Sequence, residues 1–173
     1  MAPSECRRAK RPVPMAQSIQ ERAAAQDPPP GFVPISFSDG FLGHNGPVYA
    51  RRADGEVTFG CRILPHLCNP MGIAHGGWVA TMFDIVLPLT ARYVAGFEER
   101  FLLTVQMGID YLTGPKLGDW VEGRAQVLRT TKRMVFIQGT LEVNGELTAR
   151  GSGIFRIGPP APPIDLEQTG PLP

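Results

Sequence analysis

The residues Asn69, His75, Gly76, Gly77 and Asp84 could do chemistry together. They lie in one short run, Asn69-Pro-Met-Gly-Ile-Ala-His75-Gly-Gly-Trp-Val-Ala-Thr-Met-Phe-Asp84. A glycine pair at the start of a helix leaves backbone N–H groups bare, with the positive end of the helix dipole behind them. Such a place holds an anion or a polarised carbonyl oxygen. Asn69 can add a side-chain amide to the same oxygen, and His75 a ring N–H. Asp84 follows two turns into an apolar segment, where a carboxylate needs a partner or a job.

The elements that must position these residues are legible in the pattern. Asn-Pro and Met-Gly are turn signals, so the run begins as a loop. Val79, Met82, Phe83, Val86 and Leu87 recur at spacings of three and four, the period of a helix. The helix is expected over about 76–94, with Pro88 kinking it. It is apolar nearly all round, which predicts central burial. Before it, stretches at 48–52 and 56–63 flank Ala53-Asp54-Gly55 and read as a hairpin. After it come strands expected at about 101–112, 119–130, 133–143 and 146–157. Asn144-Gly145 marks a type I′ turn between the last two. One long apolar helix followed by antiparallel strands is an α+β pattern. No internal repeat is visible.

A length of 173 residues suits one domain with a proper core. At 43% hydrophobic and 19% charged, the composition is that of a soluble globular chain. The net charge of +1 gives no reason to expect nucleic acid as a partner. Residues 1–30 form a basic, then Pro-rich, arm, with a short helix expected at 16–25; residues 159–173 form a Pro-rich tail. Both are expected to be disordered, leaving 31–158 as the folded domain. The basic N-terminus lacks an apolar core, so a secretory signal is not expected. An Arg-rich transit peptide is the minority reading of that stretch, and Met15 is an alternative start. No apolar run has the length of a membrane span, so no membrane partner is expected. Cys6, Cys61 and Cys68 are too few, and odd in number, for a disulfide framework. They point to a reducing compartment, and the expected location is cytoplasmic.

A metal reading deserves weighing, because Cys61, His66, Cys68 and His75 fall close together. They lack the paired-cysteine knuckle of a zinc site, so no metal is expected. Neither a phosphate-binding glycine loop of nucleotide type nor a serine nucleophile elbow is present in the sequence.

The run resembles the hotdog-fold acyl-CoA thioesterases, specifically the phenylacetate-type (PaaI-like) family. That pattern is an Asn, a His-Gly-Gly six residues on, and an acid nine after the His. Asn69, His75 and Asp84 match it in type and spacing. The likeness continues through Thr104-Val-Gln-Met-Gly-Ile-Asp-Tyr111-Leu-Thr-Gly-Pro115, through Gly118-Asp-Trp-Val-Glu-Gly-Arg-Ala-Gln-Val, and through Leu147-Thr-Ala-Arg-Gly151-Ser-Gly153-Ile-Phe155. It spans roughly 45–157.

The resemblance implies a curved antiparallel sheet wrapped around one central helix. It also implies a homo-oligomer: a dimer, or a dimer of dimers forming a homotetramer. The implied activity is hydrolysis of an acyl-CoA, with coenzyme A as part of the substrate and no separate cofactor. Asp84 would activate water or attack as a nucleophile, and Gly76 N–H with Asn69 would polarise the carbonyl. His75 chiefly fixes the loop and the helix start in this reading. Thr104 stands where related enzymes often carry a hydroxyl near the acid, and would hold the water or Asp84. The site would lie between subunits, with Asn69, His75 and Gly76 from one chain and Asp84 and Thr104 from the other.

Substrate contacts are expected from Gly77, from Met82 and Phe83 in an acyl pocket with Trp78 and Phe101, and from the basic turn Arg129-Thr130-Thr131-Lys132-Arg133 on the CoA phosphates. Each has a plainer reading: a structural acid, a glycine pair for close packing, a turn asparagine, a strand threonine, core side chains, a solvated hairpin. Two other functions stay open at this point. One is a hotdog hydratase or dehydratase, although Asp39 and His44 lack that spacing. The other is a binding module without turnover.

Overall fold

The computed structural model of the chain describes residues 28–35 and 40–163. The expected N-terminal helix and the tail beyond 163 lie outside the described residues. In chain order the elements are β1 (Val33–Pro34), α1 (Phe41–His44), β2 (Tyr49–Ala53), β3 (Glu56–Arg62), a 3-10 turn at Pro65–Leu67, α2 (Gly76–Val94), β4 (Arg100–Tyr111), β5 (Trp120–Thr130), β6 (Met134–Val143) and β7 (Glu146–Pro160). The strands form one antiparallel sheet in the order β1-β2-β3-β5-β6-β7-β4.

The hairpin turns form where the dipeptides ask for them. Asp54 and Gly55 have φ of 53° and 80°, and Asn144 and Gly145 have the same pair of values. Two successive positive φ angles are the type I′ requirement, which matches the right-handed twist of the flanking strands.

The sheet makes room for α2 by omitting side chains. A Cβ on Gly123 would lie 2.6 Å from Val86 Cγ2, and one on Gly151 2.8 Å from Phe83 Cδ1. A Cβ on Gly139 would meet Leu87 Cδ2 at 3.0 Å. These glycines, on β5, β6 and β7, form a trough in which the helix lies against the strand backbones. Phe83, Val86 and Leu87 fill it and are fully buried with Phe59, Leu141 and Phe155.

Burial of α2 is less complete than its apolar pattern suggested. Gly77 and Asp84 are exposed and Ala80 and Thr81 are partly so, a stripe at helical spacing. The helix therefore keeps an open face over its first turns. Beside that face runs β4, an edge strand whose one neighbour is β7. Its outer side is apolar in places, with Phe101 50% and Val105 56% exposed.

β7 also runs past the expected domain boundary at 158. It continues to Pro160, which pairs with Arg100. Pairing with β6 has ended by then, at Met134 and Arg156, so the missing proline N–H groups break no bond to β6.

Candidate active site

The loop before α2 is sewn shut by its own polar groups. Asn69 Oδ1 accepts the N–H of Met71 at 2.9 Å and of Ile73 at 3.4 Å, and Asn69 N–H donates to Ile73 O at 2.8 Å. The carbonyl of the Asn69 side chain is thus committed to the turn, as Asx geometry favours. Its amide NH2 has no partner among the described residues and remains a donor. His75 N–H donates to Leu67 O at 2.8 Å, and Ala74 N–H to Pro115 O at 2.7 Å, fixing the loop to the turn after β4.

His75 is the N-cap of α2: its Nδ1 accepts the N–H of Gly77 at 2.9 Å. This requires the ring proton on Nε2, an assignment made from the hydrogen bond. The bond ties the His75 ring to the helix start. It also removes Gly77 from the donors available to a substrate. The N–H of Gly76 has no partner among the described residues. A Cβ on Gly76 would meet only Tyr111 Cε1, at an ordinary 3.7 Å, so packing within the chain does not demand glycine there. Tyr111, whose hydroxyl donates to Gly76 O at 3.3 Å, braces this helix start. Its part was not visible in the sequence.

Asp84 is exposed rather than half-buried. Its Oδ1 accepts the Thr104 hydroxyl at 2.6 Å, the short distance of a charge-assisted bond. Thr104 sits on β4 beside the register shift between Thr104 and Gln106, and it locks the edge strand to the helix. Oδ2 of Asp84 has no partner among the described residues. Pro88 adds a second open acceptor: lacking an N–H, it leaves the backbone carbonyl of Asp84 without its helical donor.

A cleft of about 430 Å³ opens beside this pair. Leu42, Ile85, Pro88, Leu89, Phe101 and Leu103 give it apolar walls, and Arg92 also lines it. A larger depression of about 1240 Å³ lies elsewhere on the sheet and contains none of the expected site residues. The smaller cleft is the one that Asp84 and Thr104 line. Met82 and Phe83, expected to contact substrate, do not line it. They are 1% and 0% exposed, in the core. On a helix they fall on the sides away from Asp84. Trp78 is likewise buried, its indole N–H donating to Asn45 O at 3.2 Å. Phe101 alone of the expected acyl contacts faces the cleft.

Arg129, Thr130, Lys132 and Arg133 are exposed in the β5–β6 turn, which Thr131 Oγ1 closes by accepting Met134 N–H at 2.9 Å. Met134 pairs with Arg156, and Arg156 with Leu103, next to Thr104. The basic turn therefore lies at the Asp84 end of the sheet, two strands or about 10 Å over. The four residues of the metal reading do not converge. Among the described residues, no three His, Cys, Asp or Glu side chains come together to hold an ion.

Residues 71–149 match the family model of the Thioesterase superfamily. A Pseudomonas aeruginosa protein named as a candidate esterase is 31% identical over 133 residues, covering 75% of this chain and 96% of that one. The chain belongs to the thioesterase superfamily. Human acyl-coenzyme A thioesterase 13 is 30% identical to this thioesterase over 112 residues, covering 61% of the chain and 76% of the human enzyme. The Escherichia coli PaaI protein from the phenylacetic acid degradation operon superposes with a TM-score of 0.57 at 16% identity, covering 66% of this chain and 81% of that one. The thioesterase is thus a thioester hydrolase with the hotdog architecture, one long helix cradled in an antiparallel sheet, as its sequence resemblance implied. No helix among its described residues is long and apolar enough to cross a membrane.

Proposed function

We propose that this thioesterase hydrolyses an acyl-CoA to the free acid and CoA at a site shared by two copies of the chain. The observation that carries the reading is the Thr104–Asp84 hydrogen bond at the edge of an apolar cleft. The bond occupies Oδ1 and leaves Oδ2 to accept a proton from water. The water oxygen attacks the thioester carbon, and its proton passes to Asp84. The resulting oxyanion needs donors, which Gly76 N–H and the Asn69 amide supply. Collapse breaks the carbon–sulfur bond, and the proton on Asp84 leaves with the CoA thiolate as CoA-SH.

One chain cannot bring both halves to one carbonyl through its own helix. Gly76 and Asp84 are eight residues apart on α2, about 12 Å at a rise of 1.5 Å per residue. Donors and base must both stand within about 3 Å of the reacting atoms. A second copy that lays its β4 edge and helix start against the open face of α2 supplies the missing donors. It would also cover an unpaired edge that otherwise invites aggregation. Pairing two such dimers gives the homotetramer. In this assembly the cleft takes the acyl group, and Arg129, Thr130, Lys132 and Arg133 meet the CoA phosphates. The reading needs no cofactor beyond the CoA of the substrate. We place the enzyme in the cytoplasm, because Cys61 and Cys68 are free thiols that suit a reducing compartment.

The test is thiol release from phenylacetyl-, benzoyl-, hexanoyl- and palmitoyl-CoA. Removing a general base costs about 10²–10⁴ in rate, so Asp84→Ala should lose turnover while remaining folded. Full activity in that variant sinks the mechanism. Refolding Asp84→Ala together with Asn69→Ala tests the shared site. Two inactive chains should regain activity as a hybrid with one intact site, whereas a site built within one chain would regain none.

A further inference from the structure

The helix carries a second charged residue along the face that Asp84 begins. Arg92 lies eight residues on, so Asp84, Pro88 and Arg92 follow one another at spacings of four. All three line the same cleft. Arg92 is 5% exposed. Its Nη2 donates to the carbonyl oxygen of Glu98 and, at 2.7 Å, to that of Pro162. No carboxylate among the described residues lies within ion-pair distance of it. Its Nε and Nη1 have no hydrogen-bond partner among the described residues. Neither belongs to the buried atoms that are both sealed and unpartnered, which are Thr90 Oγ1 and Trp120 Nε1. The guanidinium is therefore a nearly buried cation, neutralised by no anion among the described residues, with open donors beside an apolar cleft. A charge in such a place calls for an anionic partner, and a guanidinium fork fits a carboxylate.

We infer that Arg92 binds a carboxylate at the far end of the acyl group, so that the preferred substrates are CoA half-thioesters of dicarboxylic acids. This rests on the thioesterase reading of the same cleft. The length follows from the helix. Asp84 and Arg92 are about 12 Å apart along the axis. A water at hydrogen-bond distance fills one end, about 3 Å, and the guanidinium–carboxylate contact fills about 3 Å at the other. An extended chain advances about 1.2 Å per bond, by the geometry of a stretched backbone. The remaining gap suits a diacid of roughly six to eight carbons. A cleft of about 430 Å³ holds that many atoms at about 30 Å³ for each water-sized group.

The experiment compares matched pairs in the full-length enzyme: adipyl-CoA against hexanoyl-CoA, and suberyl-CoA against octanoyl-CoA. The readout is the ratio of kcat/KM values within each pair. A charge-assisted fork should favour the diacid about 10- to 100-fold. Arg92→Gln should bring the ratio to about one or below, and Arg92→Lys should keep part of it. A wild-type ratio of one or less overturns the inference while leaving the thioesterase reading intact. So does a ratio that survives in Arg92→Gln. If Arg92 only anchors the segment around Pro162, or holds a CoA phosphate, its loss affects both members of a pair alike and leaves the ratio unchanged. Should Arg92→Gln fail to fold, the wild-type ratio and the Arg92→Lys ratio still decide. Release of thiol from no thioester at all refutes the thioesterase reading and this inference with it.

Discussion

Replacing Thr104 by Val removes one hydroxyl and almost no volume, and so isolates the hydrogen bond to Asp84. At 2.6 Å to Oδ1, this bond belongs to the class with an ionised acceptor, worth about 1.5–3 kcal/mol. Asp84 is exposed in the protomer, so water can take over part of what Thr104 supplied. The lower end of the range is then the better guide, about 1.5 kcal/mol, which is about tenfold in rate. In the proposed mechanism the bond orients the base rather than the bound thioester. The loss should therefore appear in kcat, with KM little changed. Thr104→Ser keeps the hydroxyl and should stay within about threefold of the parent. The assay is initial-rate thiol release across a range of acyl-CoA concentrations, with folding checked by circular dichroism. An unchanged kcat in Thr104→Val would show that the bond plays no part in turnover. A loss in Thr104→Ser with none in Thr104→Val would mean that the methyl group's packing, not the hydroxyl, is what matters.

Other perturbations test the scaffold. Gly151→Ala places a methyl group 2.8 Å from the buried Phe83 ring and should destabilise by about 1–3 kcal/mol, read from the urea midpoint. Gly40→Ala meets nothing within 4 Å among the described residues and should shift the midpoint little. His75→Ala deletes the cap on Gly77 and should cost about 1 kcal/mol, most of which His75→Asn restores by capping in its turn. Burial pushes the Cys61 thiol up to about 12 and is the main cause that takes the Tyr49 phenol to about 12 as well. Both pKa values are raised on folding. Stability should be full below about pH 9 and fall as pH rises toward 12, because the unfolded chain ionises first. Cys61 alone should account for about 2 kcal/mol near pH 10.5. Urea midpoints measured against pH should show a shallower alkaline slope in Cys61→Ala.

Much of the scaffold is written in local pattern. The span of α2 follows from apolar spacing, and both type I′ turns follow from dipeptides that tolerate positive φ. The strands after the helix begin and end within a few residues of their expected limits. The open face of the helix is not written in this way. It is marked by Gly77 and Thr81, small residues that read as neutral in a hydrophobic pattern, and it exists because β4 stands at an edge. Met82 and Phe83 look like pocket residues because they adjoin Asp84 in sequence. Helical rotation turns them into the core instead. The Asp84–Thr104 contact joins two elements whose register no periodicity fixes, so it was legible only through family spacing. Arg92 carries still less signal. A lone arginine near a helix end usually reads as a solvated charge that complements the dipole, and only the fold reveals it as buried.

The position of β4 has a consequence for synthesis. β4 leaves the ribosome soon after α2, yet its neighbour in the sheet is β7, and Thr104 pairs with Phe155. The strands between them can form successive hairpins as they emerge, since β5 pairs with β6 and β6 with β7. β4 must wait, with Phe101 and Val105 bare, until the last of these is made. Contacts of such long sequence separation form late, and an unpaired apolar strand is open to misassociation in the interval. The hydroxyl that holds Asp84 is thus among the last parts of the enzyme to reach its place. A nascent chain released before β7 would carry every residue of the proposed chemistry and still lack the geometry to perform it.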